Sequence, residues 1–361
     1  MLAEGYSSLE NKIAVIKEQP FEATWLTKWE LRTPRVSLRA NRHYWDLDRV
    51  PKLEEVVFRN DITKEQALDL CMHTEGEIDI VTQVDPQDAE RVVASPFAKL
   101  TKVYANRIFV GVFNRFDQDS PFHDKRIRYA FNAAINKERL IEEGFLQYAT
   151  PLPSLTPIWS REFPSDLSPI AYQPNEAKKL ISKTNWPATR PIQIAVLPQY
   201  HQAANVVADE LRSAFATEVN VHVLNEQEVR KWERALAEKR KIPDFDLFLT
   251  DVFALFTQGI PAFNHRELIG ASGKLRTGPE IVEFEQLFHV YQSEVDDEKR
   301  MEMAKEIDRY VHNEALALFL CSPQDLYAVN RHVDFLAYRS TLEFAETSVT
   351  EAHWSRRNSH C

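Results

Sequence analysis

The chain has 361 residues, which is longer than a single hydrophobic core usually supports, so two lobes are expected. A hydrophobic content of 44% and an aromatic content of 11% are typical of a packed globular protein and exclude disorder over most of the length. With 44 Lys and Arg residues against 54 Asp and Glu, the formal net charge is −10. This charge disfavours a nucleic-acid partner, because affinity for the phosphate backbone comes from clustered cations.

The first hundred residues predict short strands and helices in alternation. Alternating apolar residues over 36–40 and the run 56–58 predict two strands. A helix is expected from Lys64 and should stop before Gly76. The apolar run 78–81 predicts a buried strand, and Asp85 is expected to cap a helix that begins at Pro86.

The next segment contains the helix that the pattern supports best. Residues 107–113 predict a strand, and Asp124 is expected to cap the following helix. Its apolar residues have the spacing of a buried stripe and are Ile127, Ala130, Phe131, Ala134 and Ile135. The proline-rich stretch 150–174 predicts a long ordered loop.

Residues 191–251 predict a parallel βαβαβ unit. Alternating strands are expected at 192–196 and 219–223, and an apolar strand at 245–249. Amphipathic helices separate them, so right-handed crossovers should place the three strands parallel in one sheet. Ligands bind beyond the carboxyl ends of such strands, which draws attention to Thr250 and Asp251.

The last third predicts two helices and a return to strand. Helices are expected over 279–291 and 297–313, and separate strands over 316–320 and 327–329.

Several segments, in order and at similar spacing, resemble one family. They are Arg39-Ala40-Asn41-Arg42-His43-Tyr44-Trp45, Glu75-Gly76-Glu77-Ile78-Asp79-Ile80, Val110-Gly111-Val112-Phe113-Asn114, Asp124-Lys125-Arg126-Ile127-Arg128-Tyr129-Ala130 and Phe245-Asp246-Leu247-Phe248-Leu249-Thr250-Asp251. From about Trp25 onward the chain is similar to bacterial extracytoplasmic solute-binding proteins of the peptide/nickel family.

This resemblance implies an α/β fold of the periplasmic-binding-protein type (type II, cluster C), with two α/β lobes joined by a hinge. Because the portion ahead of Trp25 is shorter than in the family, the chain is expected to be either a fragment or a shortened, divergent member, with an incomplete first lobe. The expected division is 1–106 in lobe I, 107–326 in lobe II and 327–361 returning to lobe I, with hinges near 103–111 and 326–333.

The resemblance also implies a binding role without catalysis. The expected ligand is a peptide or another small polar or cationic solute, and the expected protein partners are the permease subunits of an ABC importer. The chain is expected to be a monomer located outside the cytoplasmic membrane. Residues 1–20 lack a signal-peptide pattern, so a cytoplasmic location is the alternative.

Asp251 is the first candidate for ligand binding. In peptide-binding members of the family, the aspartate of a W-x-A-D-Y-x-[DE]-P motif takes the α-amino group of the peptide, and Asp251 matches that aspartate. The tyrosine, acid and proline after it are absent here. A turn-capping role for Asp251 is an equal alternative. Thr250, Phe253 and Phe256 are expected to line the same pocket.

Asn114 resembles the family's strand-end asparagine and is a further candidate, although an Asx turn before Ser120 is the more ordinary explanation. Arg126 and Arg128 are expected to be solvated or to pair between lobes rather than to bind ligand.

Sequence motifs for other chemistry are absent. No zinc, nucleotide-binding, serine-hydrolase or phosphate-loop motif occurs, so no metal, cofactor or catalytic residue is expected. The three cysteines form no C-x-x-C pair. Cys71 and Cys321 are expected to be small core residues, and the redox state of Cys71, Cys321 and Cys361 is left open.

Two other functions remain open. The same fold can serve as the ligand-sensing domain of an intracellular transcriptional regulator, which a helix-turn-helix encoded upstream would indicate and a lipoprotein signal would exclude. A hydrolase is a weaker alternative, because the sequence offers no nucleophile or acidic pair for it.

Overall fold

The computed structural model describes residues 35–41, 43, 45–46, 48, 50–104, 106–187, 189–238, 245–253, 262–337, 339 and 344–357. These residues divide into two compact units. Unit 1 contains the described residues up to Val103 and those from Asp325 onward, and unit 2 extends from Tyr104 to Gln324.

The first part of unit 1 consists of short elements, in keeping with its alternating sequence. They are β1 (Arg35–Arg39), β2 (Glu55–Arg59), α1 (Lys64–His73), β3 (Ile80–Val81), α2 (Ala89–Ala94) and β4 (Ala98–Tyr104). Strands β1 and β2 pair antiparallel. Thr63 caps α1 by accepting a hydrogen bond from the Gln66 amide, while the Gln66 side chain accepts one from the Thr63 amide. The predicted stop before Gly76 is confirmed, because α1 ends at His73.

A helix does begin at Pro86, as expected, but its first turn, Pro86–Asp88, is 3₁₀ and α2 follows at Ala89. Asp85 occupies the N-cap position, but the expected capping is wrong in one respect, because its side chain makes no capping hydrogen bond. Instead, the Asp85 carboxylate accepts from Lys64 Nζ at 2.8 Å. A salt bridge therefore takes the place of the cap.

Unit 2 holds the larger sheet of the described residues. Its elements are β5 (Arg107–Phe113), α3 (Lys125–Ala134), α4 (Lys137–Arg139), β6 (Ala149–Pro151), α5 (Pro174–Ile181), β7 (Ile192–Val196), α6 (His201–Phe215), β8 (Val219–Val223), α7 (Glu226–Ala237), β9 (Leu247–Phe253), α8 (Phe263–Leu268), α9 (Val282–Ser293), α10 (Asp297–Asn313) and the part of β10 (Leu318–Asn330) up to Gln324. Five of its strands follow the order β10-β5-β9-β7-β8, and β6 pairs with β10. Strand β7 pairs parallel with both β8 and β9, as the alternation predicts.

Helix α3 is built as expected. The Asp124 side chain accepts a hydrogen bond from the Arg126 amide at the first turn. The stripe residues Ile127, Ala130, Phe131, Ala134 and Ile135 are all buried. Phe131 packs edge-to-face on Phe122, with ring centroids 5.1 Å apart. The helix therefore anchors the core of unit 2 through this stripe.

Arg128, on the same helix, is not solvated as expected. It is 4% exposed and donates to the main-chain oxygens of Phe122, His123, Glu314 and Ala315. Glu314 and Ala315 follow the last turn of α10, so Arg128 satisfies carbonyl groups at that helix end. Arg126, in contrast, pairs with Asp124 at the surface, as expected of a solvated residue.

Three predicted boundaries are wrong, two of them because strand pairing overrides the local pattern. Strand β9 begins at Leu247 and continues to Phe253, so Asp251 lies inside the strand rather than at its end. Helix α9 begins at Val282 rather than at Pro279. The two strands expected over 316–320 and 327–329 form one strand, β10.

The return to unit 1 comprises the second half of β10, which pairs with β3, and then β11 (Val333–Asp334), β12 (Ser348–Val349) and the short helix α11 (Trp354–Arg357). Asp79 connects these segments. Its Oδ1 accepts from Asn330 Nδ2 at 3.0 Å and from Trp354 Nε1 at 3.1 Å, and it lies 3.0 Å from His353 Nε2.

The expectation that Cys71 and Cys321 are core residues is confirmed. They are 1% and 0% exposed. Burial raises the pKa of the Cys71 thiol to about 12 and that of Cys321 well above its usual value. Both thiols are therefore held in the unreactive, protonated form. Within the described ranges, no helix has the length and apolar character needed to cross a bilayer.

Candidate functional site

The candidate site lies where β9 extends past its parallel neighbour. The last residue pair between β7 and β9 joins Val196 to Leu249, so Thr250 and Asp251 lie beyond the carboxyl end of β7. There the chain leaves β7 through a 3₁₀ turn, Pro198–Tyr200, which leads into α6. This is the sheet edge at which ligands bind in open α/β structures.

On its other side, β9 pairs antiparallel with β5, and Asp251 stands opposite Phe109. Arg107, two residues earlier in β5, therefore shares a sheet face with Asp251. Its Nη1 donates to Asp251 Oδ2 at 2.8 Å, and the two side chains are 23% and 14% exposed. The carboxylate is thus engaged in an ion pair within the protein.

Tyr200 completes this group of three side chains, which we call the Arg107 cluster. Its hydroxyl lies 3.5 Å from Arg107 Nη1. Burial and the Asp251 charge raise the pKa of Tyr200, so its hydroxyl stays protonated and can donate a hydrogen bond. The Tyr200 ring packs on Phe109, with centroids 4.7 Å apart, and this contact fixes the position of the hydroxyl.

Thr250 is adjacent to Asp251 in the chain but faces the other side of the sheet, because successive strand residues alternate. It is 4% exposed, and its hydroxyl donates to the Asp251 main-chain oxygen at 3.2 Å. Phe253 is the last residue of β9, and only its backbone is described. Phe256 lies outside the described residues. Of these candidates, Asp251 is the one placed in the Arg107 cluster.

Asn114 lies at the opposite end of β5. Asp251 pairs with Phe109, so about five residues, roughly 16 Å along a strand, separate Asn114 from that position. Its Nδ2 donates to the Phe245 oxygen at 2.9 Å, and its Oδ1 accepts from the Phe116 amide at 3.2 Å. The second contact is that of an Asx turn. The structure does not bring Asn114 and Asp251 together.

The family of the chain follows from comparison with known proteins. The sequence model of "Bacterial extracellular solute-binding proteins, family 5 Middle" matches residues 26–266, which is more than half of the chain. The chain belongs to this family. Its sequence is also 25% identical over 162 residues to the glutathione-binding protein GsiB of Salmonella choleraesuis (strain SC-B67), a match that covers 45% of this chain and 30% of GsiB.

Solved structures of substrate-binding proteins share the fold. The ABC transporter substrate-binding protein CtaP of Listeria monocytogenes superposes with a TM-score of 0.75 at 17% identity, covering 89% of this chain and 65% of CtaP. The ABC transporter-associated periplasmic binding protein DppA of Helicobacter pylori, in complex with the peptide STSA, gives 0.67 at 17% identity over 87% of this chain and 60% of DppA. The chain thus spans less than two thirds of each of these relatives and has the type II periplasmic-binding-protein fold.

Sequence reasoning missed two members of the Arg107 cluster in this family 5 protein. The pattern predicts Arg107 only as the first residue of a strand, and no motif distinguishes Tyr200. The available signal was positional: Tyr200 follows the end of a predicted parallel strand, as Asp251 does. Across the described part of the chain, no group of three or more His, Cys, Asp or Glu residues could hold a metal ion.

Proposed function

We propose that this chain binds a short peptide at the Arg107 cluster and presents it to the permease subunits of an ABC importer. The observation that carries the proposal is the partly buried Asp251 carboxylate at the carboxyl edge of the parallel strands, beside Arg107 and the Tyr200 hydroxyl. Family membership and the peptide-bound structure of DppA support it.

The peptide's α-ammonium group would bind Asp251. At a separation of 4 Å, two unit charges attract by about 1 kcal/mol in bulk water but by about 4 kcal/mol at an effective dielectric constant of 20. The 14% exposure of the Asp251 side chain places it between these limits. Partial burial thus makes this carboxylate a stronger anchor for an ammonium group than an exposed acid would be.

Arg107 affects the affinity for an ammonium group in two opposite ways. Its guanidinium holds the Asp251 carboxylate in place before a ligand arrives, which reduces the ordering cost of association. It also repels an incoming ammonium group and so moderates the affinity. The protonated Tyr200 hydroxyl can donate to the carboxylate that both cations share.

The test is a thermal-shift series with di- to pentapeptides, because a ligand that binds only the native state raises Tm by mass action. Each peptide is compared with its N-acetylated form, which has no ammonium group. The test variant is Asp251→Asn. The matched control is Asp166→Asn, since Asp166 also accepts from an arginine, Arg309, at 2.8 Å elsewhere in unit 2.

We expect free-amino peptides to raise the Tm of the wild type and of Asp166→Asn, but not that of Asp251→Asn. N-acetylated peptides should have little effect on any of the three. Equal shifts with free and acetylated peptides, or peptide binding that survives Asp251→Asn, would show that the anchor lies elsewhere. A complete lack of response to peptides in the wild type would refute peptide binding by this chain.

A further inference from the structure

A second pocket lies in unit 2 at the end of β5 opposite Arg107. Arg115 follows that end by two residues, and the strand between Arg107 and Phe113 is itself roughly 20 Å long. The pocket has a volume of about 360 Å³, within the range of small-molecule sites. We call it the Arg115 pocket, and its polar lining consists of Arg115, His123, Arg128, Glu283, Tyr310 and Glu314.

Arg115 is the unusual residue of this pocket. It is only 7% exposed. Its main-chain amide donates to the Thr277 oxygen at 2.7 Å, but within the described residues its guanidinium makes neither a hydrogen bond nor an ion pair. Burial, together with the charges of Arg128 and Arg276, lowers its pKa to about 10, so it remains a cation at neutral pH. A buried cation without an anion is costly.

The backbone holds Arg115 in this position. A Cβ at Gly278 would lie 2.7 Å from Arg115 Cβ and 3.4 Å from its Nε, so only glycine allows the two segments to approach this closely. Arg128 differs from Arg115, because four main-chain oxygens already accept from its guanidinium. Of the two arginines, Arg115 is therefore the one with donors available to a ligand.

Acidic groups also line the pocket. Glu283 is exposed in the first turn of α9, and within the described residues it has no salt-bridge partner. Glu314 accepts from Lys125 Nζ at 2.8 Å. Burial, and then the charges of Glu283 and Glu314, raise the pKa of Tyr310, which therefore keeps its hydroxyl proton. The pocket thus combines an unpaired buried cation with an unpaired exposed carboxylate.

We propose that the Arg115 pocket binds a free α-amino acid with an apolar side chain. The carboxylate would take a bidentate pair of hydrogen bonds from the Arg115 guanidinium, the geometry in which arginine binds carboxylates best. The ammonium group would face Glu283. Ile281 and Leu316, which also line the pocket, offer apolar surface for the side chain. The two acids disfavour a multiply charged anion such as phosphate.

The test is isothermal titration calorimetry on the full chain with four probes. L-leucine has both charges, N-acetyl-L-leucine lacks the ammonium group, L-leucinamide lacks the carboxylate, and inorganic phosphate is the anion control. The variants are Arg115→Met and Glu283→Gln. Arg161→Met is the matched control, because Arg161 is an exposed arginine of unit 2 that does not line the pocket.

We expect L-leucine to bind at one site, with leucinamide and phosphate at least tenfold weaker. Arg115→Met should weaken leucine binding at least tenfold, while Arg161→Met leaves it unchanged. Glu283→Gln changes only an exposed side chain and does not endanger folding. It should weaken the binding of leucine several-fold but should not weaken that of N-acetyl-leucine, which has no ammonium group to face Glu283.

Leucine binding that survives Arg115→Met in a variant shown by circular dichroism to be folded would overturn the assignment, since it would place the amino acid elsewhere, for instance at the Arg107 cluster. Phosphate binding as tight as that of leucine would show that the pocket binds anions in general rather than a zwitterionic amino acid. The absence of any heat with leucine would refute the site. None of these results depends on whether peptides bind at Asp251.

Discussion

The ion pair between Arg107 and Asp251 should make a measurable contribution to the stability of unit 2. Its atoms lie 2.8 Å apart, and both side chains are less than one quarter exposed. Exposed pairs contribute about 0–1 kcal/mol, whereas breaking a fully buried pair costs about 3–5 kcal/mol. We therefore expect Arg107→Gln and Asp251→Asn each to lower the free energy of unfolding by about 1–3 kcal/mol.

A double-mutant cycle isolates the pair. If the two side chains interact as the geometry shows, the double variant should be less destabilised than the sum of the single variants, with a coupling of about 1–2 kcal/mol. The assay is urea unfolding followed by circular dichroism, analysed for unit 2. In a domain of about 150–250 residues, 1 kcal/mol corresponds to a shift in Tm of about 2–4 °C. A coupling below about 0.3 kcal/mol would refute the pair as a structural contact.

Two further predictions concern the core of unit 2. Phe131 is 0% exposed and is surrounded by aromatic rings, so Phe131→Ala should lower the free energy of unfolding in urea by about 3–5 kcal/mol. Tyr129→Ala, at a 42% exposed position of the same helix, should lower it by less than about 1 kcal/mol. Similar losses in the two variants would show that the stripe is misplaced. Burial lowers the pKa of Lys137 from 10.5 to about 8. Between pH 8 and pH 10.5 the unfolded chain therefore binds more protons at Lys137 than the folded chain does, so the free energy of unfolding should rise with pH over this range. In urea unfolding measured across that pH range, Lys137→Met should abolish this rise, whereas Lys178→Met, at an exposed lysine, should keep it. An unchanged rise in Lys137→Met would show that Lys137 does not cause it.

The sequence predicts most reliably those elements in which one local rule decides the structure. Asp124 is followed by a stripe at helical spacing, and both the cap and the burial of the stripe are found. The alternation of strands and helices over 191–251 yields the parallel pairs of β7 with β8 and β9, because short crossovers permit few other arrangements. In these segments, local pattern and tertiary packing favour the same structure.

The pattern fails where a distant partner decides the structure. Strand β9 continues to Phe253 because Arg107 of β5 pairs with Phe253, and no residue near 253 encodes that partner. Arg128 is buried because carbonyl groups at the end of α10, nearly 190 residues later in sequence, accept its hydrogen bonds. The partner of Asp251 was missed for the same reason, since Arg107 is 144 residues away in sequence.

The two arginines at the ends of β5 show why partners matter more than burial in assigning a binding role. Arg107 is the more exposed of the two, but Asp251 already accepts its hydrogen bond, so the net charge of that pair is zero and a ligand gains chiefly from the carboxylate. Arg115 is almost completely buried, and no acid among the described residues pairs with it. A ligand carboxylate should therefore bind more favourably at Arg115 than at Arg107. The Arg115 guanidinium is already desolvated in the folded protein, so pairing with it adds little further desolvation cost on that side. At the other end of β5, the Asp251 carboxylate favours a ligand ammonium group, so the two ends of one strand should select opposite charges.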